Sequence, residues 1–214
     1  MGGSNMCERL KYEQMAYDLG KHYIVGLDEA GRGPMAGPLV VGAVIFPRDY
    51  YDERINDSKK LTEKKREELY RIIIENALAY QIEIIDVEDV DRLNVYQASK
   101  KGMLDAIEHI SIRPDYALTD AMPLGDSIEH QSIIKGDGLS LSIGAASILA
   151  KVTRDRIMQD YAKIYPEYGF DKHKGYPTKQ HKEALKKYGV TPIHRRSFQP
   201  VIEVLNQQLS LFDE

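Results

Sequence analysis

The chain reads as an α/β protein built around one core, and three observations predict it. Short runs rich in β-branched and aromatic residues (23–27, 39–46, 80–87 and 116–120) alternate with longer stretches of helical periodicity. At 214 residues, 43% hydrophobic and 29% charged, the composition is that of a folded domain long enough for one sizeable core. Acidic residues close three of the predicted strands: Asp28 with Glu29, then Asp120, then Asp137. In an open α/β sheet, strand ends at one edge lie together although they are distant in sequence.

Taken in order, residues 8 to 20 predict a short helix with Leu10, Met15 and Leu19 as its apolar side. Tyr23 to Pro47, YIVGLDEAGRGPMAGPLVVGAVIFP, predicts two strands of one hairpin, with Asp28 and Glu29 directly after the first. Thr62 begins a helix that runs to about Asn76 and turns Leu69, Ile72 and Ile73 inward. Tyr80 to Val87 alternates as a third strand, and Val90 to Ile110 reads as one or two helices that Arg113-Pro114 ends. Tyr116 to Asp120 is the fourth strand, and Ser132 to Asp137 is read as the fifth. Leu139 to Tyr161 is a long helix whose first half carries Gly144, Ala145, Ala146 and Ser147, small enough for close packing on the sheet. Thr178 caps a helix through Lys187 that Gly189 ends, and a last helix begins after Pro200.

The formal net charge is −4, yet its distribution is uneven. Residues 135–196 hold 13 Lys and Arg against 6 Asp and Glu, while the remainder holds 16 against 27. A basic stretch of this kind can present a phosphate-binding face on an acidic protein. The single cysteine, Cys7, supports no disulfide framework, and no apolar run approaches the roughly 20 residues that span a bilayer. A cytoplasmic, monomeric protein without membrane attachment is the expectation.

Adjacent carboxylates at the end of a buried strand need a cation to neutralise them, and a divalent metal is the obvious one. Four converging acids suit two hard cations such as Mg²⁺, which leave coordination positions for phosphate. Gly31-Arg32-Gly33 lets backbone come close to a ligand and could read a 2′-hydroxyl. Tyr176, between Gly175 and Pro177, can present its ring to a sugar or base, although core packing is the simpler reading of one tyrosine. Ser58, Lys59, Lys60, Asn94, Lys151, Lys174, Arg195 and Arg196 are candidates near a nucleic-acid backbone, and any of the cations singly could be a solvated charge.

These stretches, DEAGRGP, NDSKKL, Leu93-Asn94, LTDA, KGD, AASILAKVTRD, HKGYPT and HRRSF, resemble type 2 ribonuclease H in the same order, over roughly Tyr23 to Phe198. The resemblance implies an RNase H-like fold: a mixed five-stranded sheet flanked by helices, with a helical C-terminal part. It divides the chain into a leader and short helix (1–22), a catalytic core (23–170), a C-terminal helical part packed on it (171–205) and a tail (206–214). It puts Asp28, Glu29, Asp120 and Asp137 on the family's metal-binding catalytic acids, Gly31, Arg32 and Gly33 on its ribonucleotide-sensing turn, and Tyr176 on the tyrosine that checks the ribose–deoxyribose junction.

The implied activity is cleavage on the 5′ side of a ribonucleotide in RNA/DNA hybrids or mainly DNA duplexes, with two Mg²⁺ or Mn²⁺ ions, for ribonucleotide removal and primer processing. The 27 residues ahead of Asp28 are too few for the extra N-terminal domain of the related type 3 enzyme. Asp120 is followed by Ala121-Met122 where the family commonly has Gly-Asn, which questions the loop geometry there. The tail residues Gln208, Leu209, Leu211 and Phe212 resemble the peptide by which bacterial replication proteins bind the sliding clamp, and could equally pack the last helix. A junction resolvase of the same fold, or a non-catalytic hybrid-binding module, is the rival reading.

Overall fold

The structure is a computed structural model that describes residues 8–210, with side chains described through Gln208. A mixed five-stranded sheet has the order β3-β2-β1-β4-β5. Its strands are β1 (Ile24–Ala30), β2 (Leu39–Ile45), β3 (Ala79–Ile85), β4 (Tyr116–Asp120) and β5 (His130–Ile133). β1 and β2 form the predicted antiparallel hairpin, in a register that sets Asp28 opposite Gly42. β4 runs parallel to β1, and β5 parallel to β4. The helices among the described residues are α1 (Lys11–Asp18), α2 (Glu63–Asn76), α3 (Val87–Leu93), α4 (Val95–His109), α5 (Gly136–Leu139), α6 (Leu141–Ile164), α7 (Phe170–His173), α8 (Lys179–Tyr188) and α9 (Gln199–Ser210). None is long and apolar enough to cross a membrane.

The chain divides into two compact units. The first takes in the described part of Met1–Ala30, with Val40–Ile84 and Ser99–Val152; the second takes in Gly31–Leu39, Ile85–Ala98 and the described part of Thr153–Glu214. In the first unit, the start of α6 lies directly on the hairpin. A Cβ at Gly26 would fall 2.2 Å from the Ser142 carbonyl carbon, and one at Gly42 would fall 2.3 Å from the Ala146 carbonyl oxygen. Glycines on the sheet, facing small residues on the helix, therefore allow this approach. Val44, Ile73, Leu141, Ala145, Ile148 and Leu149 bury together beside it, and each large aliphatic side chain so buried contributes about 1.5–3 kcal/mol. In the second unit Ala36, Met158, Tyr168, Phe170 and Ile193 form one cluster, and Met35, Leu185, Val201 and Val204 another.

The predicted caps are present: Thr62 accepts from the Lys65 amide and Thr178 from the His181 amide, and Gly189 ends α8 with φ +86°. Three expectations change. β1 extends through Ala30, so Asp28 and Glu29 lie in the strand rather than after it. The fifth strand stops at Ile133; Lys135 takes a left-handed conformation (φ 59°), and Asp137 stands in the one-turn helix α5. α1 does not bury Met15 or Leu19, which are 47% and 68% exposed, but Glu13 and Ala16. The buried carboxylate has hydrogen-bond partners that a hydrophobic pattern does not register.

Candidate functional site

β1, β4 and α5 bring Asp28, Asp120 and Asp137 together, so that one carboxylate oxygen from each lies within 4.8 Å of the other two. Parallel pairing of β1 with β4 puts the first two side by side, and the turn after β5 brings the third. Each carboxylate is held by a backbone amide. Glu29 N donates to Asp28 Oδ1 at 2.7 Å, Gly136 N to Asp120 Oδ1 at 2.9 Å, and Gly138 N to Asp137 Oδ1 at 2.9 Å. Such anchoring fixes the carboxylates before any ligand arrives.

The cluster carries more negative charge than the nearby cation, Lys59, offsets. Burial, then the charges of Glu29, Asp120 and Asp137, push the Asp28 carboxyl well above its usual range. Burial and the charges of Asp120 and Asp57 raise that of Asp137, against the pull of Lys59. Glu29 is half-buried and is not one of the trio, although its charge is felt there. Three hard oxygen donors crowded in this way fit a divalent cation of the Mg²⁺ or Mn²⁺ type.

An open cleft of about 610 Å³ adjoins the trio, lined by Asp57, Lys59, Lys60, Asp120, Lys135 and Asp137. Lys59 Nζ lies 3.8 Å from Asp137 Oδ2. Partial burial works against the Lys59 charge, but Asp137, Asp28, Asp57 and Asp120 outweigh it and raise the pKa. Ser58 is buried and shares a 2.8 Å hydrogen bond with Ser147, so it secures the lysine loop rather than facing the cleft. Lys151 is half-buried on α6. Ala121, the departure from the family pattern, takes φ 49°, a left-handed conformation that glycine adopts at no steric cost. Met122 behind it is buried, so the loop closes with an apolar plug.

The Gly31-Arg32-Gly33 turn belongs to the second unit. Arg32 and Gly33 are exposed, and Gly31 is buried. Two fully buried guanidinium groups hold the loop from behind. Arg195 donates from Nη2 to the Gly31 carbonyl at 2.6 Å, from Nη1 to Arg32 at 3.2 Å and from Nε to Gly37 at 3.0 Å. Arg154 donates to the carbonyls of Pro38, Ala36 and Lys174 at 2.8–2.9 Å. Burial lowers Arg154 to about 10, against Tyr176 and Asp155. Burial and the charge of Arg154 lower Arg195 to about 9. Both remain cations at neutral pH. Arg195, expected at the surface as a phosphate contact, is instead 0% exposed and spent on carbonyls. Arg196 is exposed, and the amides of Arg196 and Ser197 donate to Asp91.

Tyr176 is 43% exposed, so its ring is presented and not packed into the core. Its backbone is fixed by imidazoles whose tautomers follow from their partners. The Thr191 amide can only donate, so His194 Nδ1 accepts from it at 3.0 Å. The hydrogen of neutral His194 is then on Nε2 and points at His181 Nε2, 3.0 Å away. That leaves Nδ1 of His181 to donate to the Tyr176 carbonyl at 2.9 Å. Beside them, His173 accepts at Nδ1 from Gly175 N and donates from Nε2 to the Tyr168 carbonyl. Lys174 bonds the Asp171 carbonyl through Nζ, and Asn94, with φ 68°, caps the start of α4 by accepting from Gln97 N.

Asp57, Arg154 and the three histidines escaped the sequence reading. Asp57 lies inside the NDSKKL stretch, where its position beside two lysines was the one signal available. In the tail, Gln208 is exposed on α9; Leu211 and Phe212 lie outside the described residues, as does Cys7.

The family model for ribonuclease HII matches residues 25–201. A ribonuclease HII of Acholeplasma laidlawii (strain PG-8A) is 52% identical over 200 residues, which cover 94% of this chain and 98% of that protein. The crystal structure of ribonuclease H2 from Pyrococcus horikoshii OT3 is similar with a TM-score of 0.73 at 25% identity, covering 87% of this chain and 98% of that one. The RNase HII of Archaeoglobus fulgidus, solved in complex with PCNA, gives 0.71 at 25% identity, covering 85% and 96%. The chain therefore belongs to the ribonuclease HII family and is a ribonuclease H of that type.

Proposed function

We propose that the chain hydrolyses the phosphodiester on the 5′ side of ribonucleotides, both in RNA/DNA hybrids and where a single ribonucleotide is embedded in duplex DNA. The products are a 3′-hydroxyl and a 5′-phosphate, and the setting is ribonucleotide removal and primer processing. The observation that carries the reading is the trio Asp28, Asp120 and Asp137, with every Oδ1 anchored by an amide.

Asp28, Asp120 and Asp137, with Glu29 next to Asp28, would hold the catalytic cations, two in number with substrate bound. Divalent ions there supply activation of water and stabilisation of the leaving 3′ oxygen. The chain's own groups do the selecting. Lys59 and Lys60 take phosphate charge at the cleft, with Asn94, Lys151, Lys174 and Arg196 tracking the backbone elsewhere. Gly31, Arg32 and Gly33 read the 2′-hydroxyl through main-chain groups, since exposed backbone without a bulky side chain permits that approach. Tyr176 stacks on the deoxyribose side of the junction, which its exposed ring supports. Arg195 acts through the loop it braces.

The test is a labelled DNA duplex holding one ribonucleotide, with Mg²⁺, cut by the native chain, Asp28→Asn and Tyr176→Ala and mapped to the nucleotide. The reading expects a 5′-side cut, its loss in Asp28→Asn, and in Tyr176→Ala an impairment greatest on the single-ribonucleotide substrate. Equal cutting of all-DNA duplex, or binding without any cutting, would sink it, and cleavage of an all-DNA junction would favour a resolvase instead.

Docking of the tail residues Gln208, Leu209, Leu211 and Phe212 on a sliding clamp is proposed alongside, favoured by the Archaeoglobus fulgidus relative having been solved with PCNA. Equal clamp affinity of the full chain and of one ending at Asn206 would remove it.

A further inference from the structure

Arg9 and Glu13 lie ahead of the family-matched span, which begins at residue 25. Both reach the segment that carries Asp137. We infer that they are positioning residues for Asp137, one holding each side of the break between α5 and α6.

α5 is a single turn, and its backbone becomes extended at Ser140 (φ −118°, ψ 135°). The carbonyls of Asp137 and Gly138 therefore have no following turn to donate to them. Arg9 supplies the donors. Its Nη1 lies 2.5 Å from Gly138 O and 3.5 Å from Asp137 O, while Nη2 donates to Ile55 O at 2.8 Å. The peptide between Asp137 and Gly138 is the one whose N–H pins Asp137 Oδ1. The 3.5 Å contact is to the carbonyl of that same peptide and the 2.5 Å bond holds the peptide that follows it, so Arg9 restrains the plane that directs the N–H at the carboxylate from both sides. Gly144 leaves the route open: a Cβ there would stand 2.9 Å from Arg9 Nη2 and 2.9 Å from Asp137 O.

Glu13 holds the other side. Its Oε1 accepts from Ser140 Oγ at 2.6 Å, Ser142 N at 3.0 Å and Ser142 Oγ at 2.8 Å, and Ser140 Oγ in turn accepts from Ile143 N at 3.2 Å. An anion here meets the free amides of the 24-residue α6, and a cation meets the free carbonyls of α5. Each charge matches the helix end it faces. Arg9, in the helical turn just ahead of α1, and Glu13, within α1, are four residues apart, so one short stretch delivers both. Glu13, 4% exposed, is buried because it makes these bonds.

The inference rests on the reading of Asp137 as a metal-holding acid, and the experiment separates the two. Mn²⁺ binding to the metal-free full chain is measured by calorimetry for the native protein, Asp137→Asn, Arg9→Met, Arg9→Lys and Glu13→Gln, with far-UV circular dichroism on each. Arg9→Met keeps the stem of a half-buried side chain, so it carries the test even if Glu13→Gln does not fold. The expected result is about tenfold weaker Mn²⁺ binding in Arg9→Met, near 1.4 kcal/mol, with part of the affinity returned in Arg9→Lys. Cleavage assays then show a lower kcat and an unchanged KM for duplex. Native Mn²⁺ affinity in folded Arg9→Met, alongside weakened binding in Asp137→Asn, overturns the inference alone. Native affinity in Asp137→Asn overturns both it and the metal-holding role of Asp137.

Discussion

Arg195 reaches back 164 positions in sequence to donate from Nη2 to the carbonyl of Gly31 at 2.6 Å. With Nη1 on Arg32 and Nε on Gly37, one planar guanidinium holds three carbonyls of a loop whose tip is exposed. Turning those carbonyls inward commits the loop to one shape. Lysine cannot reproduce this arrangement, because a point ammonium lacks the fork.

Arg195→Lys is therefore expected to destabilise the protein by about 2–4 kcal/mol, the cost of buried carbonyls left without donors. Cleavage of a ribonucleotide-containing duplex should fall further than the loss of folded protein explains, because the loop is released as well. Arg196→Ala, at an exposed position, should leave the thermal midpoint within about 2 °C of native. Equal midpoints for the two variants in a thermal melt would mean that the carbonyls find other donors, and the bracing role would be lost.

The two glycines of the turn should behave differently. A Cβ at Gly31, where φ is +98°, would lie 2.2 Å from Arg154 Nε and 2.8 Å from Pro38 O. Gly31→Ala thus combines backbone strain with displacement of a buried guanidinium, and should cost about 3 kcal/mol or more. At Gly33 the same methyl meets only the Tyr176 ring, 3.2 Å from Cε1 and 3.7 Å from Cδ1. Gly33→Ala should stay within about 1 kcal/mol of native in urea unfolding. Its expected effect is on recognition, a selective loss on the single-ribonucleotide substrate like that of Tyr176→Ala. Native selectivity in folded Gly33→Ala would separate the turn from the tyrosine.

These contrasts mark what was legible in the sequence. Asp28, Asp120 and the hairpin were readable because strand runs announce themselves and acids at their ends are anomalous. Asp137 was readable as an acid but not as part of a helix, since α5 has one turn and no periodicity to detect. Arg195 looked like a surface cation because its partners are backbone carbonyls 158–164 residues away, and carbonyls leave no mark in a sequence. Glu13 was passed over for the same reason: a charged residue on a short helix reads as solvated unless its distant serines are known. Local pattern revealed the elements, while the groups that brace the loops depend on contacts that only folding creates.

The histidine relay behind Tyr176 gives the last prediction, in pH. Burial first, and then neighbouring imidazoles, lower His181 to about 4 and His194 to about 3, against partial support from hydrogen bonds at Tyr176 and Thr191. His173 is lowered as well, by burial. The folded values lie below the ordinary 6.5 of the unfolded chain, so the unfolded state binds protons first as pH falls. Stability from the neutral relay is complete above pH 6.5 and is lost as the pH drops towards 4 and then 3. By pH 5 each of the two histidines should have cost about 2 kcal/mol relative to pH 7. Protonating His194 at Nδ1 would set its charge against the Thr191 amide, and protonating His181 would place two N–H groups nose to nose. The direct measurement is a proton NMR titration of the imidazole C2–H signals between pH 7.5 and 5, with urea unfolding at both ends. Two signals should hold neutral shifts throughout while the urea midpoint falls, and the fall should shrink in a folded His181→Gln, His194→Gln variant. Six histidine signals all titrating near 6.5 in the native protein would show that the relay is solvated and that these imidazoles add no pH dependence to stability.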